Sequence, residues 1–495
     1  MELDVSKEVD VVDLTKALFS RFDEMSVSYC HWKSNAFLHN AVTSKEDLDV
    51  LVSKSDYNKC LNILAELGFK RADSISSSVH PGTEHYYGHD DRSGKLVHFH
   101  CYYKIISGDS LVKNYRLPLD KLLLENPARR FNINIPAAEA ELIALVIRSV
   151  FKQSSLVERV LFDRDKKRVR DEYNWLKERS EYDNLDKLLL KHLPYLTLSL
   201  FKEAEAAITG NLSTFKRISL FRKFDKVFNS YKRYSYLVAA FHRHRLTLLL
   251  VKNRIFKSKG AMKFCTGGTV IALVGPQATG KSTISKSLTK WLSSEFSIKV
   301  VHTGKPPSAI LTYFPNSFLP LARKLLPTKK SSYIETVGDK QSGYSIIHIF
   351  RVLCLAYDRK KLILKLHKEC AEGKLIFTDR YPTMVPGAID SRHYTDEEIA
   401  EQKNTLKKSM MKMEAAIYSS IPEPDSVIQL TVPVEVAIER DRLRDKPGDK
   451  DEEYVRRRHA MAIKPQFGCN IETLSTLEEF SETEKKIKNY VWSRM

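Results

Sequence analysis

A glycine-bounded loop near the middle of the chain has residues that could bind a nucleoside triphosphate. Gly275 to Ser282 match the pattern G-x-x-x-x-G-K-[ST], and an apolar segment, 269–274, precedes them. In such a loop backbone N–H groups point at phosphate oxygens, and the following helix adds the positive end of its dipole. Lys281 would contact the β- and γ-phosphates of ATP, and the Ser282 hydroxyl would bind Mg²⁺. The predicted nucleotide-binding residues are Gly275, Pro276, Gln277, Ala278, Thr279, Gly280, Lys281, Ser282 and Thr283. The alternative is a glycine-rich turn without a ligand.

Two later segments have side chains that would complete a phosphoryl-transfer site. An apolar strand pattern over 373–378 ends in Asp379-Arg380-Tyr381. Asp379 would hold Mg²⁺ or orient the attacking phosphate, and Arg380 would bind the acceptor phosphate with its planar fork. A charged helix beginning at 434 would close over the triphosphate as a lid. Its arginines, of which at least two share a face, are Arg440, Arg442 and Arg444. The alternative is a solvated basic helix end.

Together these segments resemble the thymidylate kinase family over residues 263–495. The resemblance depends on the phosphate loop, on 356–359 (Ala-Tyr-Asp-Arg), on 378–381 (Thr-Asp-Arg-Tyr), on a Pro-Asp strand at 424–430 and on the arginine-rich lid. It implies an α/β fold with a parallel sheet and helices on both faces, ATP as phosphate donor and Mg²⁺ as cofactor. It also implies that the acceptor is bound by Arg359, Arg380 and Tyr381. The phosphate loop contains no arginine, so the resemblance implies that catalytic arginine comes from the lid. The catalytic set would then be Lys281, Asp379, Arg380, Arg440 and Arg444.

The acceptor side departs from the family pattern in two places. The family's Arg-Glu-Pro is Gly304-Lys305-Pro306 here, and 382–388 lacks the Ala-Tyr-Gln that the family uses near the nucleobase. Thymidylate is therefore not indicated as the substrate. The predicted acceptor is a nucleoside monophosphate or a related small anionic molecule, such as a sugar phosphate or a precursor of a surface polymer.

The first part of the chain has a second candidate for nucleotide chemistry. Asp47 and Asp49 alternate along a predicted strand, so both carboxylates would face one side and could bind Mg²⁺. With Ser34 before them, they resemble the strand–[Gly-Ser turn]–helix–DxD layout of the minimal nucleotidyltransferases. Lys33 replaces the turn's glycine, and 97–100 (Val-His-Phe-His) has histidines where the family has its third carboxylate. Three hypotheses stay open: active nucleotidyl transfer, a retained binding role, and a solvated acidic strand end.

The middle of the chain has the largest excess of positive charge but no catalytic motif. Residues 212–263 contain eight Lys and six Arg against one Asp, a balance of +13 within a net charge of +19. Such a helical, basic segment fits a solvated helix packed on its neighbours, a peripheral contact with an anionic membrane, or a contact with nucleic acid.

The length of 495 residues exceeds what one hydrophobic core usually supports. We expect a nucleotidyltransferase-like α/β domain over 1–135, a basic helical connector domain over 136–262 and a P-loop kinase-like domain over 263–495. Seven cysteines without a C-x-x-C pair indicate a reducing compartment. An acidic start without a secretory pattern, and no apolar run of ~18 residues, add to the expectation of a cytoplasmic protein.

The leading hypothesis is an ATP- and Mg²⁺-dependent phosphotransferase acting on a small anionic acceptor. One alternative is a nucleotidyltransferase that uses Asp47 and Asp49, with the kinase half supplying or sensing nucleotide, which would make the protein bifunctional. Another is a nucleotide-gated module that binds membrane or nucleic acid through 212–263. The sequence leaves open whether the chain forms a homodimer.

Overall fold

The chain folds into two compact units with mixed α/β structure. The computed structural model describes residues 9–74, 82–109, 111–152, 156–209, 213–255, 262–304, 306–313, 344–386, 388, 390–443, 452–460 and 466–495. The first unit is Met1–Cys265 and the second is Thr266–Met495.

The first unit is built around a six-stranded mixed sheet with the strand order β1-β2-β5-β4-β3-β10. Only β2 and β5 run parallel to each other, and the other neighbours are antiparallel. Among the described residues of this unit, six strands form the sheet and four form two separate hairpins. The strands are β1 (Tyr29–His31), β2 (Leu48–Val52), β3 (Lys70–Ser74), β4 (Thr83–His89), β5 (Leu96–Tyr102), β6 (Ile105–Ser107), β7 (Tyr115–Leu117), β8 (Ala128–Arg130), β9 (Ile133–Ile135) and β10 (Met262–Phe264).

Helices in the first unit pack on this sheet and on one another. They are α1 (Asp13–Glu24), α2 (Leu38–Val42), α3 (Tyr57–Glu66), α4 (Asp120–Leu124), α5 (Ala138–Lys152), α6 (Leu156–Lys177), α7 (Tyr182–His192), α8 (Leu198–Thr209), α9 (Thr214–Val227) and α10 (Tyr236–Ile255). Phe22 of α1 and Leu64 of α3 share a core with Val50 and Phe99. The predicted strand around Asp47 and Asp49 is confirmed as β2.

The expected connector shares its hydrophobic core with the first 135 residues. Helix α5 is apolar around most of its circumference and is therefore buried, as such helices are in larger cores. Leu142 and Phe151 belong to the same cluster as Trp32, Leu51 and Tyr102. Strand β10, at the other end of the connector, pairs with β3. Residues 263 and 264 therefore belong to the sheet of the first unit.

The second unit contains a parallel five-stranded sheet in which β11 is central. Its order is β12-β13-β11-β14-β15, and every neighbouring pair is parallel. The strands are β11 (Val270–Val274), β12 (Ile298–His302), β13 (Leu375–Asp379), β14 (Ser426–Thr431) and β15 (Asn470–Ser475). The first four residues of β11 are buried, as expected for a strand inside a parallel sheet. The carboxyl ends of all five strands meet at one edge.

Among the described residues, the second unit has the helices α11 (Lys281–Leu292), α12 (Ile346–Ala371), α13 (Asp396–Glu401), α14 (Thr405–Ser419), α15 (Val434–Arg442), α16 (Glu452–Ala460) and α17 (Phe480–Arg494). Ile363 and Leu366 of α12 pack on Val270 and Ala272 of β11. The helix predicted to follow the phosphate loop is confirmed as α11. Among the described helices, none is long and apolar enough to cross a bilayer.

Candidate active site

The loop between β11 and α11 needs its two motif glycines. At Gly275 φ is +146°, and a Cβ atom there would lie 2.4 Å from the carbonyl oxygen of Leu430. Gly280 has φ of +89°, a left-handed conformation that side chains disfavour, and helix α11 begins immediately after it. The strand–turn–helix expected from the motif is therefore present, with the turn at the carboxyl end of the central strand.

Lys281 folds back over this loop. Its Nζ donates hydrogen bonds to the carbonyl oxygens of Gly275 (2.9 Å) and Pro276 (2.7 Å). The Thr279 hydroxyl also donates to Pro276, at 3.1 Å. Ser282 and Thr283, at the first turn of α11, have exposed side chains. The ammonium group thus lies at the loop, where it could exchange carbonyl contacts for phosphate oxygens.

Asp379 lies at the end of β13, next to the central strand. It is in register with Leu273 of β11, two residues before Gly275. Within the described parts of the chain, its Oδ1 is buried without a hydrogen-bond partner, and its Oδ2 lies 3.9 Å from His302 Nδ1. A buried carboxylate oxygen without a partner is unfavourable. This oxygen is therefore suited to a cation or to a water bound to a cation.

Arg359 and Arg380 are brought together by the carboxylate of Asp390. Arg359 Nη2 lies 2.6 Å from Asp390 Oδ1, and Arg380 Nη1 lies 2.7 Å from Asp390 Oδ2. Arg359 is buried in α12, and it also donates to the Tyr418 hydroxyl at 2.7 Å. Asp390 belongs to no recognisable motif, so no signal in the sequence could have pointed to it.

Backbone geometry also fixes Arg380. Its φ is +74°, and its N–H donates to the carbonyl oxygen of Leu273 in the central strand. A non-glycine residue in this conformation stores strain of about 1–3 kcal/mol, which commonly occurs at functional sites. The chain turns sharply here, directly after Asp379.

The role expected for Tyr381 needs a correction. Its side chain is buried in the cluster that contains Ile363 and Val427. Its hydroxyl donates to the carbonyl oxygen of Pro422 (2.7 Å) and lies 3.0 Å from His367 Nε2. Tyr381 therefore supports the sheet from within the core and is not placed to contact an acceptor.

Helices α15 and α16 lie against the phosphate loop. Gln277 Nε2 donates to Asp441 Oδ1 of α15 at 3.1 Å, and His459 Nε2 of α16 donates to the carbonyl oxygen of Gln277 at 2.8 Å. Neither Asp441 nor His459 was expected from the sequence. Two helices thus contact one residue of the loop.

The lid arginines have partners of their own. Arg440 donates to the hydroxyl (3.0 Å) and the carbonyl oxygen (2.6 Å) of Thr476, just beyond β15. Arg442 is exposed and pairs with Glu452 at 2.8 Å. Arg444 lies outside the described residues, as does Lys305 near the acceptor side.

In the first unit, Asp47 and Asp49 are each paired with neighbouring side chains. Lys33 Nζ lies 2.9 Å from Asp49 Oδ1, and His98 Nδ1 lies 2.7 Å from Asp47 Oδ1. Burial opposes ionisation of Asp49, but Lys33 and His100 outweigh it and hold its pKa well below the usual value. Burial lowers the pKa of His100 to about 4, so this histidine is neutral near pH 7.

The turn at Ser34 and Asn35 is capped by glutamate side chains of the same chain. The N–H of Ser34 donates to Glu172 Oε1, and the N–H of Asn35 donates to Glu141 Oε1, both at 3.0 Å. Both glutamates are buried. A triphosphate would need these amides, so the contacts compete directly with phosphate binding at this turn.

A cleft of about 440 Å³ opens beside Asp47 and Asp49. Its charged lining consists of Lys33, Lys45, Arg148, Lys152, Arg168, Glu46, Asp47 and Asp49. Among the described residues, no group of three or more His, Cys, Asp or Glu side chains is arranged to hold a metal ion. A Mg²⁺ ion at Asp47 and Asp49, or at Ser282 and Asp379, would therefore depend on oxygens of a bound phosphate or water as well.

A scan of the chain against models of known protein families gave no match, and a search of curated proteins gave none either.

Proposed function

We propose that the second unit is an ATP- and Mg²⁺-dependent phosphotransferase of the thymidylate kinase type, with a parallel sheet covered by helices on both faces. The observation that carries this proposal is the position of the loop Gly275–Ser282 at the end of the central strand, beside Asp379, whose buried Oδ1 has no hydrogen-bond partner among the described residues. Open α/β sheets bind ligands at the carboxyl ends of their strands. The loop, the carboxylate and the arginine pair all lie at that edge.

The donor side uses the loop and the start of α11. The backbone N–H groups of 275–282 and the Lys281 ammonium bind the phosphates of ATP, and Lys281 gives up its contacts with Gly275 and Pro276 as it does so. Ser282 and Asp379 would hold Mg²⁺, which would supply positive charge beside the transferring phosphate. Arg440 leaves Thr476 and adds a positive charge from the lid. Arg444 is the alternative source of this charge.

The acceptor side uses the two arginines around Asp390. A carboxylate presents two oxygens to a pair of guanidinium groups much as a phosphate does. We infer that the anionic group of the acceptor takes the place of Asp390 at Arg380, the more exposed of the two arginines. Arg359 stays in position because its other donors bind Tyr418 and the carbonyl oxygens of Thr303 and Gly304.

An ADP-release screen over nucleoside monophosphates and sugar phosphates tests this proposal. Lys281→Ala should lower ADP release about 100-fold or more with every accepted substrate, because it removes a cation from the transferring phosphate. The matched control is Lys286→Ala, which changes an exposed lysine of the same helix and should leave the rate unchanged. Equal ADP release by wild type and Lys281→Ala would exclude the proposal, as would a wild-type protein that is not stabilised by ATP.

For the first unit we propose a binding role in place of nucleotidyl transfer. Five cationic side chains against three acidic ones line the cleft beside Asp47 and Asp49, which favours an anionic ligand. The capped amides of Ser34 and Asn35 argue against a catalytic triphosphate. Asp47→Asn combined with Asp49→Asn should leave incorporation of α-labelled nucleotide at background level, the same as wild type. Incorporation by wild type that this variant abolishes would favour transfer instead.

A further inference from the structure

Helix α10 of the first unit has two apolar faces, and among the described residues only one of them is buried. On the inner face Ala239 and Leu246 are buried. Arg243 anchors this face, since its Nη2 lies 2.8 Å from the buried carboxylate of Asp109. The helix is therefore attached to the unit through this face. The opposite face of the helix points away from that attachment.

The outer face presents a row of large apolar side chains to solvent. Leu237, Phe241, Leu248 and Val251 are 78 %, 66 %, 56 % and 50 % exposed. At 100° per residue these four positions fall within an arc of about 80°, opposite Ala239 and Leu246. With a rise of 1.5 Å per residue, the row is about 21 Å long. We call these four residues the outer stripe.

Charge on the same helix selects what could cover the outer stripe. Residues 236–255 contain three arginines, one lysine and two histidines but no Asp or Glu. Arg245 is exposed beside the stripe. A partner must therefore be apolar where it meets the stripe and anionic where it meets Arg245.

We propose that the outer stripe of α10 binds the surface of an anionic lipid bilayer, with the helix lying in the plane of the interface. Leucine, valine and phenylalanine would enter the acyl–headgroup boundary, while Arg245 contacts anionic headgroups. A second copy of the chain fits poorly, because its α10 would bring cations against cations. A nucleic acid would satisfy the cations but would leave the outer stripe in water.

Co-sedimentation of the full chain with vesicles tests this proposal. Wild type should bind vesicles made of equal parts phosphatidylcholine and phosphatidylglycerol, should not bind phosphatidylcholine alone, and should bind more weakly as salt is raised. Leu237→Gln combined with Phe241→Gln should weaken binding at least about tenfold, because two large side chains no longer enter the interface. Arg245→Gln should weaken it less, about two- to fivefold.

The matched control is Leu190→Gln, which changes a leucine of α7 that is 65 % exposed in the same unit and should bind like wild type. Unchanged unfolding midpoints show that the variants fold. Absence of binding to anionic vesicles at low salt would overturn the proposal. So would a homodimer that Leu237→Gln with Phe241→Gln dissociates, or oligonucleotide binding in the absence of vesicle binding.

Discussion

Arg359 and Arg380 hold opposite oxygens of one carboxylate, that of Asp390, at 2.6 and 2.7 Å. One arginine comes from the middle of α12 and the other from the turn after β13, so residues far apart in sequence meet at the sheet edge. Two guanidinium groups this close repel each other, and the carboxylate between them offsets the repulsion. The proposed acceptor site is therefore assembled around an internal anion, which the acceptor must displace.

Asp390→Asn removes the charge that competes with the acceptor. We expect the KM for the acceptor to fall about three- to tenfold with kcat changed less, because the arginines then lack an anionic partner in the free protein. The folded state should lose about 1–3 kcal/mol through the broken ion pairs. Acceptor KM from ADP release and chemical denaturation check these two effects. Asp396→Asn, at an exposed carboxylate paired with Arg392, is the control, and a raised KM for Asp390→Asn would contradict the competition.

Asp379→Asn separates function from stability. Because Asp379 Oδ1 is buried without a partner among the described residues, removing its charge should leave the unfolding midpoint unchanged or raise it. ADP release should nevertheless fall about 100-fold, since the proposed Mg²⁺ site loses its carboxylate. Thermal unfolding and initial rates over a range of Mg²⁺ concentrations are the measurements. A large loss of stability would show that Asp379 has a structural partner in the folded protein.

Gly275→Ala should disrupt the loop through the backbone alone. The added methyl group would lie 2.4 Å from the carbonyl oxygen of Leu430, so β14 or the loop must move. We expect a loss of about 2–4 kcal/mol in the free energy of unfolding, together with loss of stabilisation by ATP. Gly267→Ala is the matched control, because Gly267 also has positive φ but has no atom within 4 Å of the added Cβ. Equal losses for the two variants would indicate that the close approach to Leu430 has no energetic consequence.

Local patterns in the sequence predicted the elements around the phosphate loop because the determinants there are local. An apolar strand, two spaced glycines and a helix with apolar periodicity define 270–292 without help from the rest of the chain. The strand that ends at Asp379 was predicted for the same reason. Asp390, the partner of the two arginines, was not predicted. It lies in an irregular segment whose position depends on tertiary packing. Tyr381 was misplaced because a motif gives the order of side chains but not their burial.

The first unit shows a second reason why prediction fails. Apolar residues recur three and four positions apart between Ala140 and Phe151, a spacing typical of a helix with one apolar face, yet α5 is buried on most sides, Glu141 included. A buried carboxylate cannot be inferred from spacing, since its stability depends on a turn about 106 residues earlier in the chain. The carboxylates that cap Ser34 and Asn35 were therefore invisible in the sequence, although they bear directly on whether that turn can bind phosphate.

Glu141 should make the stability of the first unit depend on pH. Burial, with the nearby charge of Glu172, raises the pKa of Glu141 to about 8. An acid whose pKa is higher in the folded than in the unfolded state stabilises folding at low pH, and this contribution disappears as pH rises through the folded pKa. We expect the protection of the α5 amides against hydrogen exchange, corrected for intrinsic rates, to fall between pH 5 and pH 8 by about 2–4 kcal/mol. Glu141→Gln should flatten this dependence, while Glu139→Gln, at a glutamate on the same helix that accepts from the N–H of Glu181, should keep the wild-type slope. A slope that survives Glu141→Gln would place the titrating group elsewhere.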